Sequence, residues 1–198
     1  MAFTVAAAFE QLCKNLRFSD DNLSKISNRY HSITKRINTD YWERSSDSAH
    51  SLYVGSYGRD TEIFTSDIDM LVQLPYSTYE KFNAYTSNGQ SALLQEVKKV
   101  IEKTYSVTNL KADGQIISVP FSDGINFEVL PAFINKDGNS YTFANSNNGG
   151  SWKVTNPRAE IAEIQSMNNQ CNSNLKRLCK MSRAWRNKND VDISGILL

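Results

Sequence analysis

One run, Asp67-Ile68-Asp69-Met70-Leu71-Val72-Gln73-Leu74, constrains the fold more than any other, because Ile68, Met70, Val72 and Leu74 repeat with a period of two. Side chains alternate faces along a β-strand, so the run predicts a strand with one face in the core. The same alternation sends Asp67 and Asp69 together to the opposite face. Their Cα atoms would then stand about 7 Å apart, at about 3.3 Å per residue. Two carboxylates on one rigid face suit hard divalent cations, and magnesium typically takes one or two carboxylates together with substrate phosphates. In two-ion sites the ions lie about 3.5–4 Å apart, so a pair at this spacing can serve both.

A third carboxylate is predicted on a neighbouring strand. In Ile125-Asn126-Phe127-Glu128-Val129-Leu130-Pro131 the residues Ile125, Phe127 and Val129 form the core-facing set, which turns Glu128 the other way. Gly114 to Phe121 reads as its hairpin partner, joined by a turn at Ser122-Asp123-Gly124. Asp-x-Asp alone is common on solvated strand faces. What distinguishes this one is Val54-Gly55-Ser56-Tyr57-Gly58-Arg59, with ten residues between Ser56 and Asp67. Ser51 to Val54 reads as a short strand running into the turn. Glycine permits positive φ and close backbone approach, and successive N–H groups in such a turn form an anion-binding concavity. Gly55 and Ser56 are therefore assigned to the terminal phosphates of a nucleotide.

These residues resemble the DNA polymerase beta-type nucleotidyltransferase superfamily, whose signature is Gly-Ser, about ten residues, Asp-x-Asp and a later acidic residue. The wording Ser-Asp-Ile-Asp-Met-Leu, Phe-Glu-Val-Leu-Pro-Ala-Phe (Phe127 to Phe133) and Gly-Gly-Ser-Trp-Lys (Gly149 to Lys153) is similar to that of bacterial cyclic GMP-AMP synthase-like enzymes (CD-NTases, SMODS-type), nucleotide second-messenger synthases of anti-phage defence. The similarity runs from about Ala8 to Leu198. It implies that Asp67, Asp69 and Glu128 bind two Mg²⁺ or Mn²⁺ ions and that one of them assists deprotonation of the attacking ribose hydroxyl. It implies nucleoside triphosphates (ATP, GTP or others) as substrates. It also implies a basic residue two positions before a tryptophan that grips the donor triphosphate. Arg183 holds that place before Trp185, with Lys180 one turn earlier; either carries the contact, and Arg177 and Arg186 lie nearby. The core motif is shared with enzymes that transfer nucleotides to a protein, a transfer RNA end or a small molecule, and a nucleotide sensor without turnover is a further alternative.

Elsewhere, 198 residues with 40% hydrophobic content are enough for a real core. No apolar run approaches the roughly 20 residues of a membrane span. Three cysteines without paired spacing and two histidines exclude a zinc or disulfide framework and predict reduced thiols in a cytoplasm. A net charge of +1 offers no field for nucleic acid, so none is expected as an obligate partner, nor a membrane; a regulatory protein partner is left open.

Helices are predicted over Val5, Ala8, Phe9, Leu12, Cys13 and Leu16, and over Leu23, Ile26, Tyr30, Ile33, Ile37 and Tyr41 with Ser19 or Asp20 as N-cap, both bracing the back of the sheet. Pro75 to Tyr85 reads as loop, Gly89 to Tyr105 as helix and Asn135 to Gly150 as surface hairpin and loop. A helix starts at Asn156-Pro157, broken near Asn168 to Asn174. Ile161, Ile164, Cys171, Leu175, Leu178 and Trp185 mark its buried side, and Lys176, Lys180 and Arg183 the other. The expected class is α/β (α+β), a mixed sheet braced by helices. A catalytic core is expected over 1–155 and the start of a C-terminal helical region over 156–198. Because relatives continue beyond an apolar end such as Ile196-Leu197-Leu198, that region reads as truncated.

Overall fold

The computed structural model describes residues 4–193, so the expectation placed on Ile196 to Leu198 lies outside the described residues. The chain runs α1 (Val5–Asn15), α2 (Asp20–Tyr41), β1 (Ser51–Tyr53), α3 (Gly55–Gly58), β2 (Ile68–Gln73), α4 (Tyr76–Asn83), α5 (Gly89–Glu102), β3 (Lys111–Asp113), β4 (Ile116–Pro120), β5 (Asn126–Ile134), β6 (Tyr141–Asn145), β7 (Ser151–Thr155), α6 (Pro157–Gln170) and α7 (Leu175–Asn189). The expected α/β class with a mixed sheet is what forms. The strand order is β1-β2-β5-β4-β3, and β6 pairs with the far half of β5 and with β7. Among the described residues β2 and β5 run parallel and the other pairings are antiparallel.

Burial explains the register. Ile68, Met70 and Val72 of β2 and Phe127 and Val129 of β5 turn to one side, where they meet Ile26, Ile33 and Ile37 of α2 and Leu93, Leu94, Val97 and Ile101 of α5. The period-two pattern of β2 is therefore real, but its other face is not wholly polar. Leu71, on the side of Asp69, is fully buried in a smaller cluster with Val54, Ala132, Tyr141 and Phe143. On that side Asp69 and Gln73 are partly exposed at the two ends of β2 with Leu71 buried between them, and the acids lie at the early end. The helix starts follow their caps: Ser19 accepts from the Asn22 N–H, and Asn156 from the Ala159 N–H ahead of Pro157.

Three expectations are corrected. Tyr76–Asn83 is a helix, not loop: Pro75 leads into it, and Thr78 and Phe82 bury its inner side. Within the expected surface hairpin, Tyr141–Asn145 is a largely buried strand clamped between β5 and β7. And α1 does not brace the sheet; it packs against α7, with Val5, Phe9 and Leu12 exposed. Among the described residues no helix is long and apolar enough to cross a membrane.

Candidate active site

Parallel pairing of β2 with β5 sets Asp69 directly opposite Glu128. Asp67 stands just before β2, and all three carboxylates line one polar cavity of about 210 Å³ together with Ser56 and Arg183. Asp67 Oδ1 accepts from Asn126 Nδ2 at 3.2 Å.

The glycine-serine segment closes the cavity as one helical turn, α3. Gly55 has φ +58°, and a Cβ built on it would lie 1.9 Å from Asp69 Oδ2. The glycine is therefore required by a close approach to a carboxylate of the protein itself. The Ser56 N–H donates to the Asp69 carboxylate, and the Val54 N–H to the Asp69 carbonyl at 3.0 Å. The loop that holds phosphate in the sequence reading is thus stitched to the strand that carries the acids. Ser56 is buried, with its side chain on the cavity wall.

The electrostatics follow from crowding three acids in a half-buried place. Burial, then the charges of Asp69 and Asp67, push the Glu128 carboxyl up to about 7, and it shares a hydrogen bond with Asp69. Asp69 is also raised, by burial first and then by Asp67, while the bonds from Glu128 and the Ser56 N–H and the charge of Arg59 pull it back. Among the described residues no three His, Cys, Asp or Glu side chains stand together in a metal-holding group as they lie. As they lie, Asp67 is bonded to Asn126, and Asp69 and Glu128 to each other. The donor set itself, all oxygen, crowded and partly protonated for want of counter-charge, fits a hard divalent cation.

A pH dependence follows. A carboxyl raised in the fold contributes stability that is fully present below its unfolded value and is lost as pH rises through its folded value. Without divalent ions, Glu128 should therefore destabilise the protein progressively from about pH 4.5 to about pH 7. A magnesium ion ligated by Glu128 would have to displace its proton, so the ion's apparent affinity would fall up to about tenfold per pH unit below 7. Thermal unfolding with graded Mg²⁺ at pH 6 and 8 checks this. The stabilisation by Mg²⁺ should be larger at pH 8, and Glu128→Gln should remove the difference.

The cations of α7 lie otherwise than their spacing suggested. Lys180 and Arg183 are on the buried side with Cys179, while Leu178 and Trp185 are more than half exposed and Cys171 is exposed. The physical reason is charge: Asp60, Glu62, Asp67, Asp69 and Glu128 crowd the surface that α7 covers, and its cations turn toward them. The two candidates for phosphate contact separate here. Arg183 lines the carboxylate cavity, and burial followed by the charges of Arg59 and Arg186 lowers its pKa. Lys180 points away from it, its Nζ bonding Asp60 Oδ1 at 2.9 Å and Glu62 Oε1 at 3.0 Å. Arg186 also borders the cavity; Arg177 lies by a separate polar hollow with Lys180.

Lys180→Met should thus act on stability, costing about 3–5 kcal/mol because it strands Glu62 in a buried place. Arg183→Met should weaken nucleotide binding about tenfold or more. Denaturant unfolding of Lys180→Met and triphosphate titration of Arg183→Met check the two expectations.

Sequence reasoning missed several residues at the site. Thr65 and Ser66 line the cavity immediately before Asp67, and Asn187 of α7 donates to Thr65 Oγ1 at 3.4 Å. Asn126 sits two residues before Glu128 and could have been flagged by its matching parity on β5. Arg59, inside the glycine-serine motif, pairs with Glu160 of α6 at 3.0 Å and biases Asp69 toward its charged form.

Comparisons with known proteins bear on the family and the fold. A family model described as the Second Messenger Oligonucleotide or Dinucleotide Synthetase domain matches residues 3–168. The chain is 22% identical over 190 residues to the cyclic AMP-AMP-AMP synthase of an Acinetobacter species, covering 96% of this chain and 54% of that one. It therefore spans about half the length of this curated relative. Among solved structures, the Elizabethkingia meningoseptica CdnE cyclic dinucleotide synthase with GTP and Apcpp superposes with TM-score 0.63 at 17% identity, over 92% of this chain and 72% of that chain. The Vibrio cholerae DncV cyclic AMP-GMP synthase in complex with a linear intermediate gives TM-score 0.61 at 14% identity, over 89% and 63%. At these identities the likeness speaks for the fold, which is the polymerase beta-type arrangement shared by those enzymes.

Proposed function

Because the chain belongs to the Second Messenger Oligonucleotide or Dinucleotide Synthetase domain family, we propose that the protein it comes from joins nucleoside triphosphates into a cyclic or short linear oligonucleotide, releasing pyrophosphate. The observation that carries this reading is the pairing of Asp69 with Glu128 across two parallel strands, beside Asp67, Ser56 and Arg183, around one polar cavity.

In this reading the Ser56 hydroxyl and the Arg183 guanidinium hold the terminal phosphates of the donor. Asp67, Asp69 and Glu128 would hold two Mg²⁺ or Mn²⁺ ions, which when bound neutralise charge on the attacking and leaving oxygens. A ribose hydroxyl oxygen of the acceptor attacks the donor α-phosphorus, the bond to the bridging oxygen breaks, and pyrophosphate leaves with that electron pair. The hydroxyl proton passes to a carboxylate oxygen of Glu128, which stands opposite Asp69 across the two parallel strands. Much of the rate would come from positioning and charge neutralisation, as in other phosphoryl transfers. The product would serve as a messenger, in keeping with the resemblance to anti-phage synthases, and both would operate in the cytoplasm.

The test is incubation of the full-length protein with all four nucleoside triphosphates and Mg²⁺ or Mn²⁺, with products read by mass spectrometry. Phosphatase-resistant oligonucleotides are the expected result. Nucleotide appearing only on protein, transfer RNA or a small acceptor, or triphosphate bound without turnover, would overturn it.

A further inference from the structure

Helix α7 is tied to the glycine-serine turn by a bond outside the carboxylate cavity. Asp60 and Glu62, which accept from Lys180 Nζ, lie four and six residues beyond Ser56. The segment between them is rigid on the Ser56 side: the Asp60 N–H donates to the Tyr57 carbonyl, the Thr61 N–H to the Ser56 carbonyl at 2.9 Å, and Thr61 is fully buried. On the other side of the bond, Arg183 follows Lys180 by one helical turn and lines the cavity that holds Ser56. The Lys180 bond therefore sets the distance between the two groups assigned to the donor phosphates.

The two acceptors are not equal. The Asp60 side chain is 64% exposed and shared with Lys176 at 3.6 Å, whereas that of Glu62 is only 13% exposed and that of Lys180 10%. Water and salt screen an exposed pair almost completely, and a desolvated pair hardly at all. We propose that Glu62 is a positioning residue for triphosphate binding: through its bond to Lys180 it holds α7 at the height where Arg183 reaches the phosphates that Ser56 also holds. Glu62 itself touches no substrate. The proposal rests on the assignment of the cavity to a triphosphate but not on turnover, since its consequence is read in binding.

A double-mutant cycle on the full-length protein tests it, with a non-hydrolysable ATP analogue and Mg²⁺ as the probe. Glu62→Met, which keeps the side-chain length but has no oxygen to accept from Lys180 and leaves Lys180 its bond to Asp60, should raise the dissociation constant about tenfold with cooperative unfolding retained. In the Arg183→Met background the same substitution should change affinity less than twofold, because the group it positions is already gone. In turnover, KM should rise with kcat within about threefold. If Glu62→Met fails to fold, Glu62→Asp, too short to keep the 3.0 Å bond, is read through the same cycle. An equal loss of affinity with and without Arg183, or no loss at all, would overturn the proposal. Absence of any oligonucleotide from the wild-type protein, with the cycle behaving as expected, would instead sink the synthase reading and leave this one standing.

Discussion

Asp67→Asn combined with Asp69→Asn should lower oligonucleotide synthesis by about 10³-fold or more while leaving the protein folded. The size follows from what the pair does. Divalent ions at a phosphoryl-transfer site are worth several kcal/mol of transition-state charge stabilisation, and each 1.4 kcal/mol or so is a factor of ten. Asparagine keeps the shape and one carbonyl oxygen but removes the charge that, in the proposed reading, would hold the ions. The stability effect should carry the opposite sign. Asp69 is held above its ordinary range by burial and by Asp67, and Glu128 by burial and by both. Relieving that repulsion should raise the unfolding temperature in EDTA, or leave it unchanged, and should bring the Glu128 carboxyl back toward the usual carboxylate range. Activity lost together with the fold would mean that the substitutions broke the scaffold; activity retained would mean that the acids are not the ion site.

Gly55→Ala should have the next largest effect, by a different route. Two costs add: φ is +58°, where an L-residue pays about 1–2 kcal/mol, and the new methyl would overlap Asp69 Oδ2, whose present distance to an ideal Cβ is 1.9 Å. The carboxylate must move by about an ångström, and misplacement on that scale costs about 100-fold in rate. Gly138→Ala provides the comparison: its φ is +70° but nothing lies within 4 Å of the added carbon. It should cost a similar backbone term, about 1 kcal/mol, with synthesis unimpaired. Turnover and denaturant unfolding of the two variants together separate strain from displacement of Asp69.

How legible this architecture is in the sequence depends on which force places each residue. Strand alternation is decided by burial, so the outward turn of Asp69 and Glu128 could be read from Ile68, Met70, Phe127 and Val129. That the two strands pair in register could not, because their partnership is set by a segment of more than fifty residues lying between them. Helix starts at Ser19 and Asn156 were visible as caps, since those bonds are local. Helix α7 resisted: periodicity finds an apolar stripe, but here charge complementarity to Asp60 and Glu62 turns Lys180 inward and leaves Leu178 and Trp185 outside. For the same reason Lys180 and Arg183 could not be told apart by spacing alone, while one turn of helix sends them to different acids. Strand β6 was hidden within a segment rich in Asn, Gly and Ser, and only its pairing with β5 and β7 reveals why Tyr141 and Phe143 are buried.

Anomalous diffraction from crystals grown with Mn²⁺ and a non-hydrolysable nucleoside triphosphate decides whether Asp67, Asp69 and Glu128 together cage divalent ions beside Ser56. The account predicts two manganese peaks in the carboxylate cavity, at about 2–2.3 Å from oxygens of Asp67 and Asp69, with Glu128 released from Asp69 to ligate one of them. A bound triphosphate whose ions sit elsewhere, with Glu128 still hydrogen-bonded to Asp69, would contradict it.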